Sequence, residues 1–204
     1  QALLKARCVA GDHELGERLI EAGEPFVWPD RLEAGVVDVA LETADEELLA
    51  ASIGRWESMV RTKMALTGGV GSRHQDEAFG YPYELPPDRS YNETCAAIAS
   101  VMWSWRLLLA TGEPRYADLI ERTLYNAFLP GVSLDGQRYF YVNTLHARRD
   151  PDLEDVATAT WGRHERVPWY GCACCPPNVM RILASLEHYV ATVSDDGLQL
   201  HQYV

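Results

Sequence analysis

A three-residue turn signature recurs along this 204-residue chain and limits its fold more than any other feature. It reads Ala10-Gly11-Asp12, Thr43-Ala44-Asp45 and Thr111-Gly112-Glu113, each lying between two helical patterns, at spacings of 33 and 68 residues. Because 68 is close to twice 34, the chain reads as successive helical hairpins in which one turn, near position 78, is replaced by something else. The helices are amphipathic. Leu49, Ile53, Trp56 and Val60 share one face, Cys95, Ile98, Met102, Trp105 and Leu109 a second, and Tyr116, Ile120, Leu124 and Phe128 a third. These faces predict core packing. Residues 24–35, with Pro25, Pro29 and Gly35, predict a break, and the first 30 residues follow the hairpin pattern less well.

Between Thr67 and Pro87 the helical period vanishes into a loop rich in Gly, Pro and aromatic residues, opening with Thr67-Gly68-Gly69-Val70-Gly71-Ser72. Long irregular loops in compact domains are usually functional. No Gly-Lys-Ser/Thr follows these glycines, and His74 stands where a dinucleotide fingerprint needs its third glycine, so they do not form a phosphate cradle. Further on, residues 132–143 read as a β-hairpin with Asp135-Gly136 as its two-residue turn. Its aromatic strand, with Tyr139 and Tyr141, either lines a pocket or covers a sheet face. Residues 146–166 read as loop. Residues 194–204 read as a turn and an alternating strand, the start of a β domain after a helical domain spanning 1–193.

A formal net charge of -12 argues against nucleic acid and anionic membranes as partners and favours a neutral or cationic one. No run of 18 apolar residues suggests a membrane span. The chain begins at Gln1, which is compatible with a truncated or processed start. Five cysteines, an odd number, disfavour a secreted disulfide framework and favour reduced thiols or metal, hence a cytoplasmic setting.

Three of those cysteines gather in Cys172-Ala173-Cys174-Cys175-Pro176-Pro177-Asn178, ahead of a helical pattern through Val179, Ile182, Leu183, Leu186 and Val190. A residue before proline is pushed from the α region, so Cys175 is expected to be extended, with Pro177 in the first helical turn. Adjacent thiols can form a strained disulfide, share a soft metal, supply a nucleophile or be buried and inert. Glu77, Glu93 and Cys95 stand out in the loop and the helix behind it. Glu93 could instead close a capping box opened by Ser90, and Cys95 could be a small core residue. On a regular helix residues 93 and 95 lie about 200° apart, so they could share one metal only at an irregular first turn. Spacing alone leaves this open.

Together, in order, Thr67-Gly68-Gly69-Val70-Gly71-Ser72, Glu77-Ala78-Phe79-Gly80, Glu84-Leu85-Pro86, Tyr91-Asn92-Glu93-Thr94-Cys95-Ala96-Ala97, Phe140-Tyr141-Val142-Asn143 and Gly171-Cys172-Ala173-Cys174-Cys175-Pro176-Pro177-Asn178 resemble glycoside hydrolase family 127, the β-L-arabinofuranosidases. The resemblance runs from about residue 36 to the end, with 1–35 poorly matched. It implies a mainly α fold, part of an (α/α)6 toroid of helical hairpins, with a small β-hairpin and the start of a β-sandwich at the C-terminus. It further implies a zinc ion held by Glu93, Cys95, Cys174 and Cys175, with Cys174 as nucleophile and Glu77 as general acid/base. His74 and Tyr141 stand where they could hydrogen-bond the sugar hydroxyls of a carbohydrate, an arabinofuranoside; the resemblance gives Cys172 no role, and it is expected to pack nearby. Three thiolates and a carboxylate fill zinc's four positions, and the ion would keep Cys174 deprotonated.

A complete toroid needs about twelve helices and roughly 400 residues at this hairpin spacing, so the chain reads as part of one. An incomplete ring should expose apolar faces, with Leu49, Ile53 and Trp56 among those at risk, so the chain alone is expected to aggregate, to pair with a second copy or to need the missing segments. Asn143-Thr144-Leu145 stands where the family more often has Asn-Pro-Leu. Two readings compete with a retaining glycosidase: a non-catalytic carbohydrate-binding toroid with a structural zinc, and a redox protein using Cys174-Cys175.

Overall fold

The turn signatures at 43–45 and 111–113 are helix boundaries. Helix α1 (Pro29–Thr43) ends at Ala44, whose φ of 53° reverses the chain, and Asp45 then caps α2 (Glu46–Thr62) by accepting the Leu48 N–H at 2.9 Å. Helix α3 (Thr94–Thr111) closes on Gly112, a left-handed C-cap that donates to Leu108 O, and Pro114 opens α4 (Pro114–Thr123). The computed structural model describes residues 29–146, 165–172 and 174–203, so the signature at 10–12 lies outside it, as does most of the 146–166 segment.

Helix α4 runs on through a π-helical turn (Leu124–Phe128) and a 3-10 turn (Leu129–Gly131). Helix α5 (Cys175–Ala184) is followed by a 3-10 turn (Leu186–Tyr189) and two short strands, β1 (Ala191–Ser194) and β2 (Gly197–Leu200). These pair antiparallel in the register Ala191↔Leu200 to Ser194↔Gly197. The architecture is thus mainly helical with one small sheet.

Three expectations need correction. The break at 24–35 is not one from Pro29 onward: that proline starts α1, where a missing N–H costs nothing, and Gly35 lies inside the helix. The Asp135-Gly136 turn is a wider loop, since Ser133 N–H bonds Arg138 O and Val132 bridges Tyr139. Asp135 organises it by accepting from Ser133 Oγ and the Gln137 N–H, which fits a four-residue loop better than a two-residue one. Finally, all four residues of β2 are exposed, so its sequence alternation buries no face.

The helices pack as sequential hairpins, α1 on α2 and α3, and α3 on α4 and α5. Helix α3 is central, with eleven buried residues. By length and composition it could cross a membrane, but its burial among neighbouring helices marks it as a core helix. One core joins Val37, Trp56, Met59, Trp103, Leu107, Tyr116 and Leu119; another joins Ile98, Val101, Ile120, Phe128, Val179 and Ile182. Both buried indoles find partners across α2 and α3, Trp56 Nε1 on Ser104 Oγ and Trp103 Nε1 on Ser52 Oγ, each at 3.0 Å. Trp56 is therefore not uncovered. Exposed apolar side chains are spread over several elements, among them Leu41 on α1, Leu109 on α3, Met180 and Leu183 on α5, and Val193, Leu198 and Leu200 on the terminal hairpin.

The long loop between α2 and α3 docks on α4 through Gly68. With φ at +92°, this residue would place a Cβ 2.5 Å from Thr123 Oγ1 and 3.1 Å from Thr123 Cα. Gly136, also at positive φ, has no atom within 4 Å of such a Cβ. Gly68→Ala should therefore cost about 3 kcal/mol or more and Gly136→Ala only about 1 kcal/mol, an ordering that denaturant unfolding of the two variants checks.

Candidate metal centre and catalytic site

Glu93 and Cys95 share a side because Glu93 is outside the helix. It is the N-cap of α3, with extended backbone (φ -63°, ψ 139°), and Cys95 follows in the first turn. The 200° separation of a regular helix never applies. The segment 140–143 clamps this entry: Thr94 N–H bonds Tyr141 O at 3.0 Å, Thr94 Oγ1 donates to Phe140 O at 2.7 Å, and Glu93 bridges Val142. Asn143 Nδ2 donates to both Asn92 O and Thr94 Oγ1 at 3.0 Å. Ser90 donates its hydroxyl to Pro86 O, so the capping box does not form.

The other two thiols come from the start of α5. Cys175 is its first helical residue rather than extended, and Cys174 precedes it as N-cap. Helical start is tolerated here because the prolines at 176 and 177 fall in the first turn, whose N–H groups have no intrahelical acceptor.

The ligand atoms of Glu93, Cys95, Cys174 and Cys175 all lie within 4.8 Å of one another. Cys95 and Cys175 sulfurs are 3.2 Å apart, Cys174 and Cys175 sulfurs 3.7 Å, and each of Cys174 and Cys175 is 3.4 Å from Glu93 Oε1. A tetrahedral zinc with sulfur at about 2.3 Å requires ligand separations of roughly 3.5–3.8 Å, so the donors stand near the edges of such a shell. Charge points the same way. Burial, then the charge of Cys174, pushes Glu93 up to about 8, and burial likewise raises Cys175. Cys174 is moved down, by hydrogen bonds from Cys175, Cys95 and Tyr141. Four acidic groups converge where only one ionises readily, and a cation at their centre would remove that conflict.

Exposure separates the four. Glu93 is 1% exposed and Cys95 and Cys175 are 0%, while Cys174 is half-buried and meets Tyr141 Oη at 3.0 Å. Tyr141 in turn lies edge-on to Tyr170 and 6.1 Å from the Tyr91 ring. Tyr91 Oη donates to Glu77 Oε1 at 2.6 Å, and His74 packs edge-on against Tyr91. The structure thus gathers the four metal-type ligands, places Tyr141 on Cys174, and connects Glu77 and His74 to them through Tyr91. Cys172 is exposed rather than packed.

Glu77 ends a 3-10 turn (Gln75–Glu77) with φ at 51°, a conformation glutamate adopts only under constraint. Arg73 and Ala78 close the loop with two backbone bonds, and Arg73 forks onto Glu84 at 2.8 and 2.7 Å. Glu84 also accepts the Tyr81 N–H at 2.9 Å, and Lys63 Nζ donates to Gly80 O. Sequence reasoning missed Tyr91, Tyr170, the Arg73–Glu84 fork and Asn178, whose Nδ2 donates to Cys95 Sγ at 3.0 Å. Tyr91, Glu84 and Asn178 stand in the motifs that carry the family resemblance, but only their contacts reveal what they do, and Asn178 lies one turn beyond the paired thiols.

A family model described as the β-L-arabinofuranosidase GH127 catalytic domain matches residues 22–188. A non-reducing end β-L-arabinofuranosidase of Bifidobacterium longum is 38% identical over 176 residues, covering 83% of this chain and 26% of its own. A GH127 β-L-arabinofuranosidase structure from Geobacillus stearothermophilus T6 superposes with a TM-score of 0.77 at 39% identity, covering 85% of this chain and 27% of that one. A GH127 β-arabinofuranosidase structure gives 0.75 at 42% identity, covering 84% and 25%. The chain spans about a quarter of the length of these relatives.

The Arg73 fork holds the Glu84 carboxyl at about 2, below its ordinary 4.5, with the Tyr81 N–H assisting. Since folding lowers this value, its stabilisation is complete above pH 4.5 and is lost as pH falls from there towards about 2. Glu84→Gln should therefore melt about 1–3 °C below the parent at neutral pH, with the gap narrowing below pH 4.5, as thermal scans across pH would show.

Proposed function

The chain belongs to the GH127 β-L-arabinofuranosidase catalytic-domain family, and we propose that it carries the nucleophile, acid/base and zinc ligands of a retaining glycoside hydrolase acting on terminal β-L-arabinofuranosides. The observation that carries the reading is the asymmetry among four convergent donors, of which only Cys174 is half-exposed and inclined to ionise. Glu93, Cys95, Cys174 and Cys175 would hold the metal. When bound, zinc supplies positive charge that keeps the thiolates deprotonated at neutral pH.

In the first step the Cys174 sulfur attacks the anomeric carbon while Glu77 donates its proton to the departing glycosidic oxygen. The C–O bond breaks, a C–S bond forms, and the anomeric centre inverts. In the second step the Glu77 carboxylate takes a proton from water, whose oxygen attacks the same carbon and expels sulfur. Two inversions give net retention. Tyr141, on the nucleophile, and His74, beside Tyr91, are suited to meeting sugar hydroxyls.

The same reading extends to the architecture. Hairpins α1–α2 and α3–α4 would be consecutive units of an (α/α)6 toroid, and the strands from Ala191 would begin the β-sandwich, placing that boundary slightly before residue 194. The partner is a carbohydrate rather than nucleic acid or membrane, and a reducing, cytoplasmic setting suits free thiols at the site.

On the complete protein, Glu77→Gln should lower turnover of alkyl arabinofuranosides roughly 10²- to 10⁴-fold while leaving bound zinc unchanged, because Glu77 supplies a proton and no ligand. Cys174→Ser should abolish turnover of every substrate. Steady-state rates, elemental analysis and NMR of the first-formed anomer check this. Retained turnover in Cys174→Ser, or an inverted product, would contradict it.

A further inference from the structure

Glu77 is held by a neighbour to which neither step above assigns a role. Tyr91 Oη donates to Glu77 Oε1 at 2.6 Å, and its ring, 2% exposed, is fixed between His74 (5.0 Å between centroids) and Tyr141 (6.1 Å). The next residue, Asn92, bonds Gly71 O through its N–H at 2.7 Å, tying Tyr91 to the loop that carries Glu77. Glu77 itself sits at a φ of 51°, so its direction is set by a constrained backbone and by one phenol.

A carboxyl group protonates on one of its two oxygens. With a phenolic donor on Oε1, that oxygen serves as an acceptor in both protonation states, and the mobile hydrogen belongs on Oε2. We propose that Tyr91 is the positioning residue of the acid/base: it pins Oε1, so that Glu77 gives and takes its proton at Oε2 alone. This rests on the reading of Glu77 as acid/base. The spacing of the site supports it, since the partner ring, Tyr141, meets Cys174 Sγ at 3.0 Å. The two tyrosines, packed with their rings tilted 54° to one another, therefore set where the proton donor stands relative to the sulfur.

Tyr91→Phe keeps the buried ring and removes only the donor. On the complete protein, kcat/KM for a methyl β-L-arabinofuranoside, whose leaving group must be protonated, should fall roughly 10- to 100-fold. For the 4-nitrophenyl glycoside, which leaves with little protonation, the fall should be no more than about threefold. The ratio of the two values within one preparation is independent of the folded fraction, so partial misfolding does not mask the result. Tyr91→His, which keeps a donor, should recover part of that ratio. An unchanged ratio in Tyr91→Phe while Glu77→Gln shifts it would overturn the positioning role. An unchanged ratio in both variants would overturn the acid/base reading of Glu77 and the inference with it.

Discussion

The site depends on where α3 begins. A carboxylate and a thiol two residues apart cannot meet at one metal position on a regular helix, and the chain resolves this by holding Glu93 extended while Cys95 is already helical. The restraint is applied from outside the helix. Backbone and side-chain bonds from Phe140, Tyr141 and Asn143 occupy the groups around Thr94 that would otherwise extend α3 backwards. The same segment that fixes the entry also delivers Tyr141 onto Cys174, so ligand geometry and the surroundings of the half-buried thiol come from one clamp.

From that clamp the remaining parts follow in sequence. Helix α5 packs on α3 through Val179 and Ile182, which brings Cys174 and Cys175 to the first turn of its neighbour. The loop between α2 and α3, braced by Lys63 and by the Arg73–Glu84 fork, returns past the same point and carries Glu77. The helical hairpins supply rigidity, and the candidate site residues stand in the irregular segments between them or at helix starts, as expected where functional groups must leave regular backbone.

Helices were legible from the sequence because their buried faces repeat at the helical period, and two turn signatures marked their ends because Ala44 and Gly112 stand at reversed backbone. The candidate ligands could be named from motif order, but their convergence could not, since it depends on a cap that looks like a capping box when read as Ser90-Tyr91-Asn92-Glu93. Two prolines mislead: Pro29 reads as part of a break and Pro176 as a residue that holds Cys175 extended, yet each stands in the first turn of a helix. Tyr91 was illegible as a contact of Glu77 because fourteen residues of irregular loop separate them. A phenol bonding across such a loop leaves no period to detect.

The central claim is that Glu93, Cys95, Cys174 and Cys175 form one ligand shell around zinc. X-ray absorption at the zinc edge of the purified complete protein tests it most directly. The account predicts three sulfur scatterers at about 2.3 Å and one oxygen at about 2.0 Å, with a sulfur lost in Cys95→Ser. A shell of nitrogen and oxygen alone, or a spectrum unchanged by that substitution, would contradict it.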